Sequence, residues 1–123
     1  MSTTEMPSEV ASLRSSPEAL VVVDHEGVIA LMTEAAEGLF GVASDDIAGE
    51  FVEMLVPEKK RWGHQAYRRG YQAEPSDREM DPGLEPELER PMDGNHVPIH
   101  VRLEPMRVDG RLYVVAHVTE RTD

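Results

Sequence analysis

The feature that most constrains the fold is the segment LVVVDHEGVIALMTEAAEGLFG, Leu20 to Gly41. Leu20 to Val23 is a β-branched run of buried-strand length. Asp24-His25-Glu26-Gly27 reads as a turn, with Gly27 free to take the positive φ a hairpin exit requires. Val28 to Met32 supplies the partner strand. Thr33 then fits an N-cap, Glu34 suits the positive end of a helix dipole, and Gly41 fits the C-terminal stop. Ala36, Leu39 and Phe40 share one face of that helix. A lone hairpin is marginal in water, so further strands must join it from elsewhere in the chain.

Those strands lie at the other end. From Asn95 to Met106 apolar and polar residues alternate, with Val97, Ile99, Val101 and Leu103 on one face and His96, Pro98, His100 and Arg102 on the other. Asp109-Gly110 is a hairpin signal, and Arg111 to Val118 forms the last strand. That strand is apolar on both faces, Leu112, Val114, Ala116 and Val118 against Tyr113 and Val115, so its outer face needs a cover as well. Between the two strand regions, Ser44 is positioned to cap a short helix opening with Asp45 and Asp46, and Gly49 ends it. Phe51 to Leu55 is a further short helical piece, Glu58 to Ala73 is the longest helix, and residues 74–91 are rich in proline and acid. Residues 1–16 form a polar cap, flexible or helical, in which Val10 and Leu13 could line a short helix; 17–120 form one domain, and 121–123 begin a linker. The layout is α+β, with short helices enclosing one face of an antiparallel sheet.

The composition removes several function classes. With no cysteine, disulfides, thiolate metal sites and cysteine-based photochemistry are excluded. A net charge of −12 argues against nucleic acid, whose phosphates need a basic footprint. No apolar run approaches the ~18 residues of a membrane span and no signal-peptide core opens the chain, which points to a cytoplasmic protein. Neither a phosphate-binding glycine loop nor a nucleophile elbow is present, so a non-enzymatic role is expected.

The order of DHEG, TEAAEGLFG, IAGEFVEMLVPE and the terminal MDG…VRLEPMRVDGRLYVVAHVTE resembles the PAS domain family from about Pro17 to Glu120. The resemblance implies a five-stranded antiparallel sheet around a small internal pocket, and a sensing role coupled to an output domain, attached or separate. It also implies a homodimer formed through a helix near residues 7–15 and the outer sheet face at Tyr113 and Val115.

Within the long helix, KKRWGHQAYRRGY places Tyr67, Arg68 and Tyr71 at i+3, i+4 and i+7 from His64, on one stripe. Lys59, Lys60, Arg61, Arg68 and Arg69 make a basic island in an otherwise acidic chain, suited to the anionic edge of a ligand. Gly63 and Gly70 could admit a flat ligand to the backbone. In this stretch the chain is most similar to the haem-binding, oxygen-sensing PAS domains of rhizobial histidine kinases and of the bacterial direct oxygen sensor. His64, preceding Tyr67 at i+3 and standing one residue further than in that group from the Asp93-Gly94 turn, matches the proximal iron ligand. Ile99, Val101 and Leu103 match the apolar distal wall, and Met80 falls near a distal methionine if the loop shifts by about three residues. The resemblance therefore implies haem b, bound through His64 beside Tyr67, Arg68, Arg69 and Tyr71, reporting oxygen, another diatomic gas or redox state. A shift in axial ligation would move the His64 helix, and the last strand would carry the change to the output.

The chain also departs from that pattern. The distal arginine position of the kinase-type sensors falls near Glu85, whose ionised carboxylate has no proton to donate. Pro82, Pro86 and Pro91 interrupt what should be a regular strand. Other readings stay open. His64 could be a half-buried polar residue, Tyr67 and Tyr71 packing residues, and the basic island a solvated face that pairs with the acidic loop. The whole could be a cofactor-free dimerisation module, or a pocket for a small apolar carboxylate met by Arg68 or Arg69. Glu85 to Glu89 reads as a solvated acidic edge. His96 and His100, four apart on a strand and so ~13 Å from each other, cannot hold one ion and belong on the surface.

Overall fold

The structure, a computed structural model, describes residues 6–80 and 86–121. One antiparallel sheet organises it. β1 (Leu20–Asp24) and β2 (Ile29–Met32) form the first hairpin, and β5 (His96–Val108) and β6 (Arg111–Glu120) form the last. β1 pairs with β6, so the chain's two ends meet in the middle of the sheet, in the order β2-β1-β6-β5. Where a single further strand was expected, two short pieces run along the free side of β5: β3 (Arg78–Glu79) against Leu103 and Arg102, and β4 (Glu87–Glu89) against Pro98 to His96. Among the described residues the sheet therefore has six strands. The two pieces are tied at their facing ends, Met80 N–H to the Val101 carbonyl and Ile99 N–H to the Pro86 carbonyl. Pro86 has no N–H to give the ladder, which is one reason it sits at the break.

Among the described residues, helix α1 (Ser8–Ala11) precedes the first hairpin, and α2 (Glu34–Phe40), α3 (Ser44–Ile47) and α4 (Glu58–Ala73) lie between the two hairpins. Short 3₁₀ turns occupy Ser12–Ser15 and Val52–Leu55. Thr33 begins α2 as expected. Its hydroxyl accepts from Ala36 N–H at 3.4 Å, and it also accepts from Leu20 N–H at 2.9 Å and donates to the Glu18 carbonyl at 2.6 Å. Gly41 ends the helix at φ +71°. Ser44 differs from expectation. It is the first residue of α3, and its hydroxyl accepts from Met32 N–H at 2.8 Å, tying α3 to β2. The Ser44 N–H is met instead by the Glu37 carboxylate at 2.6 Å.

The sheet divides the apolar residues into two clusters. Val21, Val23, Ile99, Val101, Leu103, Leu112, Val114 and Val118 face the helices with Phe40, Ile47, Leu55, Tyr71 and Leu88. Leu20, Val22, Leu31, Tyr113 and Val115 face the other way, and Val10 of α1 is fully buried against them. The outer face of β6 is thus covered by the chain's own first helix. Among the described residues no helix is long and apolar enough to cross a membrane.

Candidate functional site

Helix α4 lies across a cavity of about 450 Å³, with the inner face of the sheet opposite. The residues α4 turns inward are Lys59, Lys60, Gly63, His64, Tyr67, Arg68, Tyr71 and Gln72, the stripe a 3.6-residue period produces. The sheet wall is aliphatic: Val21, Val23, Ile99, Val101, Leu103, Val114 and Val118. Phe40, Leu55, Leu88 and Met80 close the sides. A volume of this size with apolar walls and a few convergent polar groups is what a small-molecule or cofactor site looks like.

Two polar groups of the lining, His64 and Arg68, converge on Glu53, which lies in the 3₁₀ turn beside α4 and is not itself a lining residue. His64 Nδ1 lies 2.8 Å from Glu53 Oε2. Arg68 donates to the same carboxylate in fork fashion, Nε to Oε2 at 2.9 Å and Nη2 to Oε1 at 3.1 Å. The side chains are 13%, 20% and 11% exposed for Glu53, His64 and Arg68. Burial alone would raise the Glu53 carboxyl; the His64 and Arg68 hydrogen bonds and charges outweigh it and lower the group from 4.5 to about 2. Glu53 is therefore ionised throughout the physiological range.

Arg68 reaches further, with Nη1 donating to Gln72 Oε1 at 3.2 Å and to the Glu26 carbonyl at 3.3 Å, while Gln72 Nε2 donates to the Asp24 carbonyl at 3.1 Å. These bonds pin α4 to the β1–β2 turn. Gly27 makes this possible: at φ +87°, a Cβ there would collide with the Arg68 guanidinium.

Tyr71 donates its hydroxyl to the Ser76 carbonyl at 2.6 Å, and burial raises its pKa above 10.0. Arg78 of β3 stacks over the rings of Tyr71 and Tyr67, 5.0 and 5.8 Å from their centroids.

The structure brings His64, Tyr67, Arg68, Tyr71, Met80, Ile99, Val101 and Leu103 to this one cavity. Arg69 is exposed on α4 and does not line it. Gly63 lines the cavity and Gly70 does not; both are exposed, with open space where a Cβ would stand. The basic island is largely paired: Lys60 Nζ lies 3.2 Å from Glu87 Oε1, and Arg61 Nη2 lies 3.1 Å from Glu89 Oε2. The stretch expected as a solvated acidic edge is thus, in its described part, an ion-paired strand with Leu88 buried between its two carboxylates. Arg68, expected to meet a ligand carboxylate, is already engaged by Glu53. Glu85 and Pro82 lie outside the described residues. His96 is exposed beside Glu89 at 3.2 Å, and His100 is exposed.

Glu53 was missed by reading the sequence. Its signal is a single carboxylate between Val52 and Leu55, two residues that line the cavity while Glu53 itself does not. Gln72 and Arg78 were missed as well; the first is visible only as a member of the inward stripe of α4.

A helix-covered antiparallel sheet in this strand order, with a ligand-sized cavity under its longest helix, is the architecture of a small sensory domain. The chain belongs to the PAS family, whose fold matches residues 10–118. It is 31% identical over 111 residues to the sensor protein FixL of Bradyrhizobium diazoefficiens, a match covering 90% of this chain. The chain spans about a fifth of that relative's length, 22%. Among solved structures, the PAS domain of an HTR-like protein from Haloarcula marismortui superposes with a TM-score of 0.72 at 19% identity, covering 93% of this chain and 90% of that one. The PAS domain of the Cronobacter turicensis quorum-sensing receptor RpfR, in complex with BDSF, superposes with a TM-score of 0.68 at 15% identity, covering 88% and 97%.

Proposed function

We propose that this PAS sensory domain binds haem b through His64 and reports oxygen, another diatomic gas or redox state. The observation that carries the reading is His64 itself, among the described residues the one imidazole on an otherwise largely aliphatic cavity, with one ring nitrogen already bonded to a carboxylate. That pairing is the usual dress of a metal-bound histidine. Among the described residues no group of three or more His, Asp or Glu could hold a bare ion. A porphyrin brings four nitrogens of its own and asks only for one axial side chain, an apolar slot and cations for its propionates. When bound, haem would supply a redox-active iron with an exchangeable axial position.

The chain's residues fit that demand. His64 would hold the iron through a ring nitrogen, and Ile99, Val101, Leu103 and Met80 would supply the apolar slot for the macrocycle. Lys59 lies on the cavity lining where anionic groups would be met, a role Lys60 and Arg68 have given up to Glu87 and Glu53. The likeness to a curated sensor protein over 90% of the chain supports a sensing role. An occupant would touch α4 on one side and β5 and β6 on the other, so β6 is the element placed to carry a change to an output domain. A cytoplasmic location goes with this reading. A homodimer would form over α1, which already occupies part of the outer sheet face, rather than on a bare sheet.

A second reading has its own support. The Cronobacter structure is a PAS domain in complex with BDSF, and Lys59 on an apolar cavity suits the carboxylate of a small apolar acid.

The deciding experiment is the absorption spectrum of purified protein before and after hemin, with His64→Ala alongside. A Soret band that requires His64 supports haem. A spectrum that hemin leaves unchanged, or a band indifferent to His64→Ala, overturns it. Native mass spectrometry then reads out any co-purifying acid.

A further inference from the structure

Glu53 is engaged by two side chains at once, and only one arrangement of protons satisfies all three contacts. The fork from Arg68 places two guanidinium N–H groups on the carboxylate at 2.9 and 3.1 Å, the geometry of an ionised Asp or Glu. An ionised carboxylate only accepts hydrogen bonds. The remaining contact, 2.8 Å to His64 Nδ1, must therefore carry its proton on the imidazole nitrogen. A neutral imidazole protonated at Nδ1 has its lone pair at Nε2. Without the acceptor, the ring is free to place its proton on either nitrogen.

The orientation of Glu53 is itself fixed from a distance. Arg68 is held by the Glu26 carbonyl and by Gln72, and Gln72 by the Asp24 carbonyl, so the turn between β1 and β2 sets where the guanidinium fork lies. The carboxylate sits on a 3₁₀ turn that is also bound to this hairpin, through Val52 N–H to the Gly27 carbonyl at 2.9 Å. Both sides of the ion pair are thus anchored to one hairpin, and His64 joins them from α4.

We propose that Glu53, clamped by Arg68, is the positioning residue of the cavity: it accepts the Nδ1 proton of His64 and so reserves Nε2 as an electron-pair donor to the occupant. The occupant class this selects is an electron-pair acceptor, such as a porphyrin iron. The inference deepens the haem reading and rests on it for the identity of the acceptor, but the proton placement is measurable without any ligand.

The first test is a long-range ¹H–¹⁵N correlation spectrum of the ligand-free, ¹⁵N-labelled protein at about pH 9, well above the ordinary histidine value of about 6.5. The expected pattern for His64 is a protonated Nδ1 and an unprotonated Nε2; the reverse pattern overturns the proposal. Glu53→Met removes the acceptor. It should lose the Nδ1-protonated pattern and weaken hemin binding ~10–100-fold, the usual effect of removing such a partner. Glu53→Gln keeps an acceptor oxygen and should return both the pattern and most of the affinity, which a merely structural role for Glu53 would not predict. Unchanged tautomer and unchanged hemin affinity in Glu53→Met overturn the proposal. If that variant does not fold, the wild-type spectrum and Glu53→Gln still decide. Failure of hemin to bind the wild-type protein removes the haem reading alone, because the tautomer is read with no hemin present.

Discussion

The charge on Glu53 should be visible as a specific part of the acid denaturation of this domain. Its carboxyl is lowered from 4.5 to about 2 by His64 and Arg68. That is about 2.5 pH units at 1.36 kcal/mol each, or about 3 kcal/mol of stability. The side chain is only 13% exposed, so little of this is lost to solvent screening. Because the folded value lies below the unfolded one, the contribution is fully present above pH 4.5 and disappears as the pH falls through about 2. Glu53→Gln removes the titration while keeping the shape. Urea unfolding of both proteins, followed by circular dichroism at matched pH between about 2 and 7, isolates this one group from the many other carboxylates. The stability gap between wild type and variant should shrink by about 3 kcal/mol on going from neutral to the acid end. A gap constant to within about 1 kcal/mol across that range would refute the assignment of Glu53 as a buried, paired carboxylate.

Three further changes test the frame that holds the site. Ser44→Ala leaves the buried Met32 N–H without its acceptor and should cost about 1–3 kcal/mol in urea titration. Gly27→Ala forces a Cβ onto a left-handed residue and into the Arg68 guanidinium; a loss above about 1 kcal/mol is expected, whereas Gly38→Ala, in open space on α2, should be neutral or stabilising. Val10→Asp places a charge beneath α1 and should detach that helix. Exposure of Tyr113 and Val115 would then appear as dye binding or a change of association state in sedimentation, while an unaltered association state with unaltered stability would count against α1 as the cover.

The elements themselves were legible in the chain because each is set by local chemistry. Alternation from Val97 to Leu103 marked a half-buried strand. Thr33 and Gly41 bounded α2 through their own hydroxyl and backbone freedom, and the period of Glu58 to Ala73 put His64, Tyr67 and Tyr71 on a common stripe. The double apolar face of Arg111 to Val118 announced that β6 would be covered on both sides, and Val10 does cover it. What local pattern could not reveal was which residues meet across the fold. Glu53 lies eleven positions from His64 and fifteen from Arg68, on a turn whose direction depends on the hairpin it packs against. Lys60 and Arg61 looked available to a ligand until β4 brought Glu87 and Glu89 beside them, and Ser44 looked like a cap until β2 offered an N–H in greater need. Periodicity and turn chemistry act within a few residues and so are written in order along the chain. Ion pairs and buried hydrogen bonds are decided by whichever partner the folded backbone delivers within about 3 Å, and that is known only once the sheet has closed.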